Sequence, residues 1–327
     1  GVWGRPPPAR MKFLSALACE QALPMELTIS AMSTAFVELS TGEADVPLRS
    51  RTPAQREGIM ITMPGHLRRS GSLGVKLVSV FPQNAEKRLP MIHALVVAMD
   101  PNTGVPLAVI EGAALTAIRT AAGSAAATQV LARPEATSLA VIGTGVQARS
   151  HVRAMCAVRG ITKMWVFGRD RARARAFADE IVADPSLPTD VTVTDSAEDA
   201  VRDADVICTA TTSSRPVFDG RCVKAGAHIN AVGSFTASMQ EVDGATLKRA
   251  LVTFDSREAV LAEAGDIVVA LQSGAISERD LHAEIGEIIN GTKPGRSSPE
   301  QITYFKSVGV AVQDVAAASL AWQQACE

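Results

Sequence analysis

The stretch Leu139-Ala-Val-Ile-Gly143-Thr-Gly145-Val-Gln147-Ala148 runs a short apolar strand directly into a glycine turn, and an amphipathic segment follows without a break. Each residue type has a task there. Gly143 permits a tight turn, Gly145 lets the backbone approach a pyrophosphate, and small Ala148 lets the next helix pack closely on the strand. The N-terminus of that helix presents free N–H groups to an anion. Ordinary glycine loops also contain G-x-G-x-x-A, so the flanking sequence decides its meaning.

From Ser138 onward, apolar runs at 138–143, 163–168, 191–194, 205–210, 228–232 and 251–254 alternate with helical patterns at 146–158, 170–184 and 197–203. That alternation predicts α/β architecture: a Rossmann-type, doubly wound parallel sheet with crossover helices. Upstream, a helical pattern over 24–39 gives way to strand-like segments at 59–63, 73–80, 93–99 and 106–110, then to an alanine-rich helix over 113–131. This predicts a smaller α+β domain of meander type. The expected division is a disordered leader at 1–10, a smaller first domain at 11–130 and 305–327, and a dinucleotide-binding domain at 131–304.

The second strand of the Rossmann unit ends about where a ribose-reading acid normally stands, roughly 20 residues past the glycines. Gly168-Arg169-Asp170-Arg171 occupies that place. A guanidinium suits the 2′-phosphate of NADP(H), which is the preferred expectation. Asp170, one residue later, keeps NAD(H) open. Arg173 and Arg175 read as the solvated face of a helix start.

With 327 residues, 47% of them apolar, the chain has material for two buried cores. Aromatics are scarce at 4%, so those cores lean on Ala, Val, Ile and Leu. A net charge of −2, from 32 basic and 34 acidic residues, offers no bulk field for nucleic acid or an anionic membrane. No apolar run reaches the roughly 18 residues of a membrane span. Small molecules and copies of the chain itself are the expected partners. Cys19, Cys156, Cys208, Cys222 and Cys326 show no paired spacing, which points to reduced thiols in a cytoplasm. His66, His93, His151, His228 and His282 form no metal-ligand spacing, so no metal site is expected. Met11 to Cys19 superficially resembles a short signal sequence, but Glu20 interrupts it, and Ser15 reads as a helix cap.

Two cations stand in apolar surroundings: Lys76 within Gly74-Val-Lys-Leu-Val, and Arg119 within Leu115-Thr-Ala-Ile-Arg-Thr120-Ala-Ala. A charge there needs an anion. A bound carboxylate, a structural ion pair, or for Lys76 a water-facing strand edge would each satisfy it. Arg49 is a third candidate, with Arg51 as its competitor.

These segments, with the glycine turn, Gly226-Ala-His-Ile-Asn230-Ala-Val-Gly233 and Phe305-Lys-Ser307-Val-Gly309, resemble the ornithine cyclodeaminase/mu-crystallin family, which includes cyclic ketimine reductases and archaeal alanine dehydrogenases. The resemblance runs from Met11 to the C-terminus. It implies a homodimer whose subunits join a substrate and dimerisation domain to a Rossmann domain, with the C-terminal helix returning to the former. It places carboxylate binding on Lys76 and Arg119, with Arg49 as the N-terminal arginine. It places cofactor contacts on Thr120, on Gly143, Thr144, Gly145, Val146, Gln147 and Ala148, on Gly168 and Arg169, and on Asn230, Ala231, Val232 and Ser307. An arginine can hold an α-carboxylate through two hydrogen bonds and so fix the carbon to be reduced.

The departures bear on the reaction. Where cyclodeaminases of the family carry an aspartate base, this chain has Phe235, and where mu-crystallin-like reductases carry an acid it has Ser238. Neither is a general base near neutral pH. One-step imine reduction needs only carboxylate binding, hydride delivery and one proton. The expectation is therefore an NAD(P)H-dependent reductase of cyclic ketimino acids, Δ1-pyrroline-2-carboxylate or Δ1-piperideine-2-carboxylate, giving L-proline or L-pipecolate. Lys76 and Arg119 are the expected catalytic residues, with His93 as candidate proton donor. Glu111 is a second acid, or a local cap. The alternatives are ornithine cyclodeaminase, and a non-catalytic binder of NADP(H) or another small ligand.

Overall fold

In a computed structural model the described residues are 11–326, so the leader expected at 1–10 lies outside them. The chain forms two compact units, the first running through Arg119 and resuming at Val310, the second spanning Thr120–Gly309. These boundaries differ from the sequence estimate of 130/131 and 304/305. The first divide falls inside a single helix, where no loop marks it.

The first unit opens with β1 (Lys12–Leu14), α1 (Ala16–Ala22) and α2 (Met25–Ser40), followed by β2 (Ala44–Asp45), β3 (Ser50–Pro53), β4 (Ile59–Leu67), β5 (Ser72–Val80), β6 (Ile92–Met99) and β7 (Pro106–Glu111). Ser15 caps α1 by accepting from the Ala18 N–H at 3.3 Å. The seven strands form one sheet in the order β1-β7-β6-β5-β4-β2, with β3 also paired to β4. All pairs are antiparallel except β1 with β7. Side chains alternate between faces. Lys76 lies opposite Met63 and Val96 on the inner face, whereas Leu77 lies opposite Thr62 and Leu95 on the outer one. The next helix, α3 (Gly112–Leu131), is alanine-rich, and Ala121, Ala122, Ala125, Ala126 and Ala127 are buried. Small side chains permit close approach on every side of it.

The second unit contains β8 (Ser138–Ile142), α4 (Val146–Val158), β9 (Lys163–Phe167), α5 (Arg171–Val182), β10 (Asp190–Val193), α6 (Ala197–Val201), β11 (Val206–Thr209), β12 (His228–Ala231), α7 (Gly244–Arg249), β13 (Ala250–Phe254), α8 (Arg257–Glu263), α9 (Gly265–Gln272), β14 (Leu281–Glu284), α10 (Ile285–Ile289) and β15 (Ile302–Lys306). Its eight strands are all parallel, in the order β10-β9-β8-β11-β12-β15-β13-β14. This is the expected doubly wound sheet, with β14 and β15 as additions. After β8 the chain winds outward through β9 and β10, then returns to place β11 on the other side of β8. Ligands of such sheets bind beyond the carboxyl ends of the strands at this reversal.

The last helix, α11 (Ala311–Gln324), belongs to the first unit and covers the inner face of β4, β5 and β6. It brings Gln313 and Asp314, both fully buried, to the face that carries Lys76.

Candidate active site

Two sites emerge, one in each unit. In the second, the backbone after β8 turns at Gly143, whose φ is +119°, and an added Cβ would strike the Ala210 carbonyl. Only glycine accommodates both conditions. Gly145 is the N-cap of α4 and has open space where a Cβ would stand. Arg149 Nη1 donates to the Thr144 carbonyl at 2.7 Å and braces the turn. A cavity of about 700 Å³ opens there, lined in part by Gly143, Gly145, Gly168, Arg169 and Thr211. Gln147 Oε1 is buried without a hydrogen-bond partner. Uncapped helix N–H groups, a glycine facing open space and an orphaned acceptor fit a dinucleotide.

At the ribose end, Asp170 caps α5, accepting from the N–H groups of Ala172 and Arg173 at 3.0 and 3.1 Å. Arg169 lines the cavity and has no protein partner among the described residues. Val146 is exposed and Ala148 is fully buried against the sheet. Other expected cofactor contacts are engaged by the protein. Asn230 is buried, its Nδ2 donating to Thr128 Oγ1 at 2.9 Å and its Oδ1 beside His228 Nε2 at 3.2 Å. Ser307 Oγ–H donates to Asp255 Oδ2 at 3.1 Å. Thr120, Ala231 and Val232 are likewise buried. The backbone is engaged as well: the Ser307 and Val232 N–H groups donate to the Ala231 and Thr209 carbonyls at 3.1 and 3.0 Å, and Asn230 lies in a strand paired on both sides.

Glu241, which sequence reasoning did not single out, ties the strand ends beside the cavity together. Its carboxylate accepts from Thr209 Oγ1 at 2.8 Å, from the Thr211 N–H at 2.5 Å and from the Gly233 N–H at 2.7 Å. Asp266 in turn accepts from the Glu241 N–H at 2.6 Å and pairs with Lys306 at 3.1 Å, all three residues being fully buried.

In the first unit, Lys76 and Arg119 are 3% and 4% exposed and share one carboxylate, Asp314. Lys76 Nζ lies 2.6 Å from Asp314 Oδ2, and Arg119 Nε donates to Asp314 Oδ1 at 2.8 Å. Arg119 Nη1 donates to Gln313 Oε1 at 3.0 Å. Part of the anion that these cations require is therefore internal. One positive charge remains in excess. Burial lowers the Lys76 pKa from 10.5 to about 8; Asp314 opposes this, while the charges of Arg119 and Arg49 add to it. Arg49 lies between β2 and β3, where its charge is felt at Lys76.

His93 is not brought to this cluster. It pairs with Ser79 in the β5–β6 register, which sets it on the exposed outer face, opposite to Lys76. The strand period alone does not carry that signal, because a one-residue slip of register would reverse it. Glu111 caps α3, accepting from the N–H groups of Ala113 and Ala114 at 3.0 and 2.8 Å. Phe235 and Ser238 are exposed, and Ser238 Oγ lies 3.2 Å from Thr236 Oγ1. Among the described residues no group of three or more His, Cys, Asp or Glu is placed to hold a metal, and no helix is long and apolar enough to cross a membrane.

The chain is 40% identical over 319 residues to a Delta(1)-pyrroline-2-carboxylate reductase of Bacillus cereus, covering 97% of each protein. Its fold matches the Delta(1)-pyrroline-2-carboxylate reductase of Thermococcus litoralis, solved with NADH and L-proline, with a TM-score of 0.91 and 39% identity over 97% and 98% of the two chains. It also matches an archaeal alanine dehydrogenase dimer with bound NAD, with a TM-score of 0.89 and 34% identity over 97% and 96%. The sequence profile of one family matches residues 10–327, nearly the whole chain. The protein belongs to the ornithine cyclodeaminase/mu-crystallin family.

Proposed function

We propose that the protein reduces cyclic ketimino acids, Δ1-pyrroline-2-carboxylate and Δ1-piperideine-2-carboxylate, to L-proline and L-pipecolate. The observation that carries this is the buried Lys76–Arg119–Asp314 cluster, whose single excess positive charge matches one carboxylate. Relatives named as reductases of this substrate class support it. When bound, a reduced nicotinamide cofactor supplies the hydride for the imine carbon. Lys76 and Arg119 hold the carboxylate, Asp314 keeps both cations in register, and Arg49 adds positive charge that is felt at Lys76. Lys76, with a pKa near 8, is mostly protonated at neutral pH and so presents the charge that a carboxylate needs, while a protonated ketimine brings the ring-nitrogen proton with it. The cyclodeaminase alternative lacks a base, since Phe235 stands at the aspartate position.

In the cofactor site, the turn from Gly143 to Gln147 would cradle the pyrophosphate while buried Ala148 lets α4 pack on the sheet, with Thr120, Asn230, Ala231, Val232 and Ser307 as the further residues that would surround the cofactor. NADPH is the preferred donor, because Arg169 lines the cavity without a protein partner among the described residues, while Asp170, which also lines it, spends Oδ1 on capping α5 and has Oδ2 3.3 Å from Arg173. The protein acts as a homodimer. The outer face of the first unit's sheet is apolar, with Met60, Leu77 and Leu95 being 43%, 36% and 42% exposed, and the similar alanine dehydrogenase is a dimer. A cytoplasmic location suits the five free cysteines.

The test is direct. Purified protein with NADPH or NADH should oxidise the cofactor upon addition of either cyclic imino acid, with the higher kcat/KM for NADPH. Ammonia release from L-ornithine without added reductant would instead establish the cyclodeaminase, and cofactor binding without any turnover would establish a binder. Arg169→Ala should erase the NADPH preference, and Leu77→Asp should yield monomers in sedimentation.

A further inference from the structure

One buried donor in the first unit remains unused by the clamp as described. Gln313 is fully buried in the first turn of α11. Its Oε1 accepts from Arg119 Nη1 at 3.0 Å and from the Val310 N–H at 3.1 Å. Two donors on that atom fix the orientation of the amide, because the reverse orientation would set an NH₂ group against both of them. Nε2 is thereby a defined donor, and it has no hydrogen-bond partner. A buried amide N–H without an acceptor is costly, so such atoms point to a missing partner. The surroundings favour an anion as that partner. Val310, the N-cap of α11, has no side chain able to cap the first-turn N–H groups, and the positive end of the helix dipole lies there. Lys76 and Arg119 exceed Asp314 by one charge beside it.

We propose that Gln313 Nε2 donates a hydrogen bond to a carboxylate oxygen of the bound imino acid, making Gln313 a neutral third member of the clamp and a determinant of its specificity. This rests on the proposed use of the cluster as a carboxylate site. The ligand's chemistry narrows the contact. In a protonated cyclic ketimine the ring nitrogen is a donor and the ring carbons are apolar, so the two carboxylate oxygens alone can accept. An amide also suits the charge balance. A third full cation would leave excess positive charge after a monoanion binds, whereas an amide adds a donor without a charge.

Gln313→Met removes the amide without changing the charge of the clamp, whereas Gln313→Glu keeps an oxygen for Arg119 and Val310 but removes the Nε2 donor and cancels the excess positive charge. Calorimetric titration with pyrrole-2-carboxylate, an unreactive carboxylate of similar shape, reads binding without turnover. Both variants should bind it roughly tenfold or more weakly than wild type, the strength of a hydrogen bond to a charged group, with Gln313→Glu the weaker and NADPH affinity unchanged in both. A crystal structure of the wild type with this ligand separates direct contact from a merely structural role: a carboxylate oxygen should lie within hydrogen-bond distance of Nε2, and a ligand bound without that contact would overturn the proposal. So would unchanged affinity in a folded Gln313→Met. A wild-type protein that binds the carboxylate but reduces no imino acid would refute the reductase function while leaving the Gln313 contact standing. If wild type binds no carboxylate, both fail.

Discussion

Replacing Asp314 by Asn tests the electrostatics of the clamp at its least exposed point. The substitution keeps the shape and an acceptor for Arg119 Nε, but removes the charge that Lys76 and Arg119 share at 2.6 and 2.8 Å. The loss at Lys76 is bounded, because the lysine can shed its proton. Holding Lys76 charged with a pKa of about 8 instead of 10.5 already costs the wild type about 3 kcal/mol below pH 8. Full neutralisation of such a lysine at pH 7 costs about 5 kcal/mol, so the variant loses no more than about 1–2 kcal/mol there. Arg119 has no such escape. Weakening its charge-assisted bond to a neutral one adds about 1–2 kcal/mol. Asp314→Asn should therefore destabilise the protein by about 2–4 kcal/mol at pH 7, near the low end for breaking a buried pair.

The pH dependence supplies the sharper test. A lysine with a depressed folded pKa binds fewer protons when folded than when unfolded, so stability rises with pH between the folded value and 10.5. In the wild type this rise begins near pH 8. The variant's Lys76 titrates lower still, and its rise begins earlier. By pH 9 the lysine is mostly neutral in both proteins, and the gap should narrow by about 1–2 kcal/mol, leaving the Arg119 part. Urea denaturation at pH 7 and pH 9, monitored by circular dichroism, measures both quantities. A variant within 0.5 kcal/mol of wild type at pH 7, or a gap that widens at pH 9, would refute the charge-sharing account.

Three further outcomes follow from the same geometry. Because carboxylate binding requires charged Lys76, kcat/KM for the imino acid should fall as pH rises through about 8; Lys76→Arg should remove that limb, and its persistence would assign the titration to another group. Gly145→Ala should fold like the wild type, since its Cβ enters open space, yet weaken the nicotinamide cofactor; Gly143→Ala should lose roughly 1–3 kcal/mol of stability as well, read from paired melts and cofactor titrations. Glu241→Ala strands three donors of Thr209, Thr211 and Gly233, so its KM for cofactor should rise at least tenfold while carboxylate affinity in the first unit stays put.

Much of the fold is legible in the chain because the local signals agree. The helix read at 146–158 is α4 residue for residue, and the strands from β8 to β13 fall within one or two residues of their apolar runs. Where local pattern is silent, the fold is not legible. Ile302–Lys306 is buried along its whole length, but nothing in five residues reveals that it inserts between β12 and β13. The partition of α3 between units is silent for a similar reason: alanine is compatible with burial on any side, so the sequence pattern carries no step at Arg119.

The candidate site divides along the same line. Lys76 and Arg119 are conspicuous because a charge in an apolar segment calls for a partner, but the alternation of Leu73, Val75 and Leu77 with Gly74, Lys76 and Val78 leaves the face of Lys76 open, and the structure sets it inward. The β5–β6 register, which the sequence does not disclose, sets His93 on the other face and removes it from the clamp. Asp314 and Gln313 carry no such mark. They stand in an amphipathic, alanine-rich helix start, where an acid in the first turn reads as ordinary dipole compensation. Only the return of α11 across the inner sheet face, some 195 residues from Arg119, turns that acid into the shared counter-ion. The cations announce that an anion is needed, and tertiary structure supplies one carboxylate for two positive charges. The charge left over is the physical reason to look for a carboxylate in the ligand.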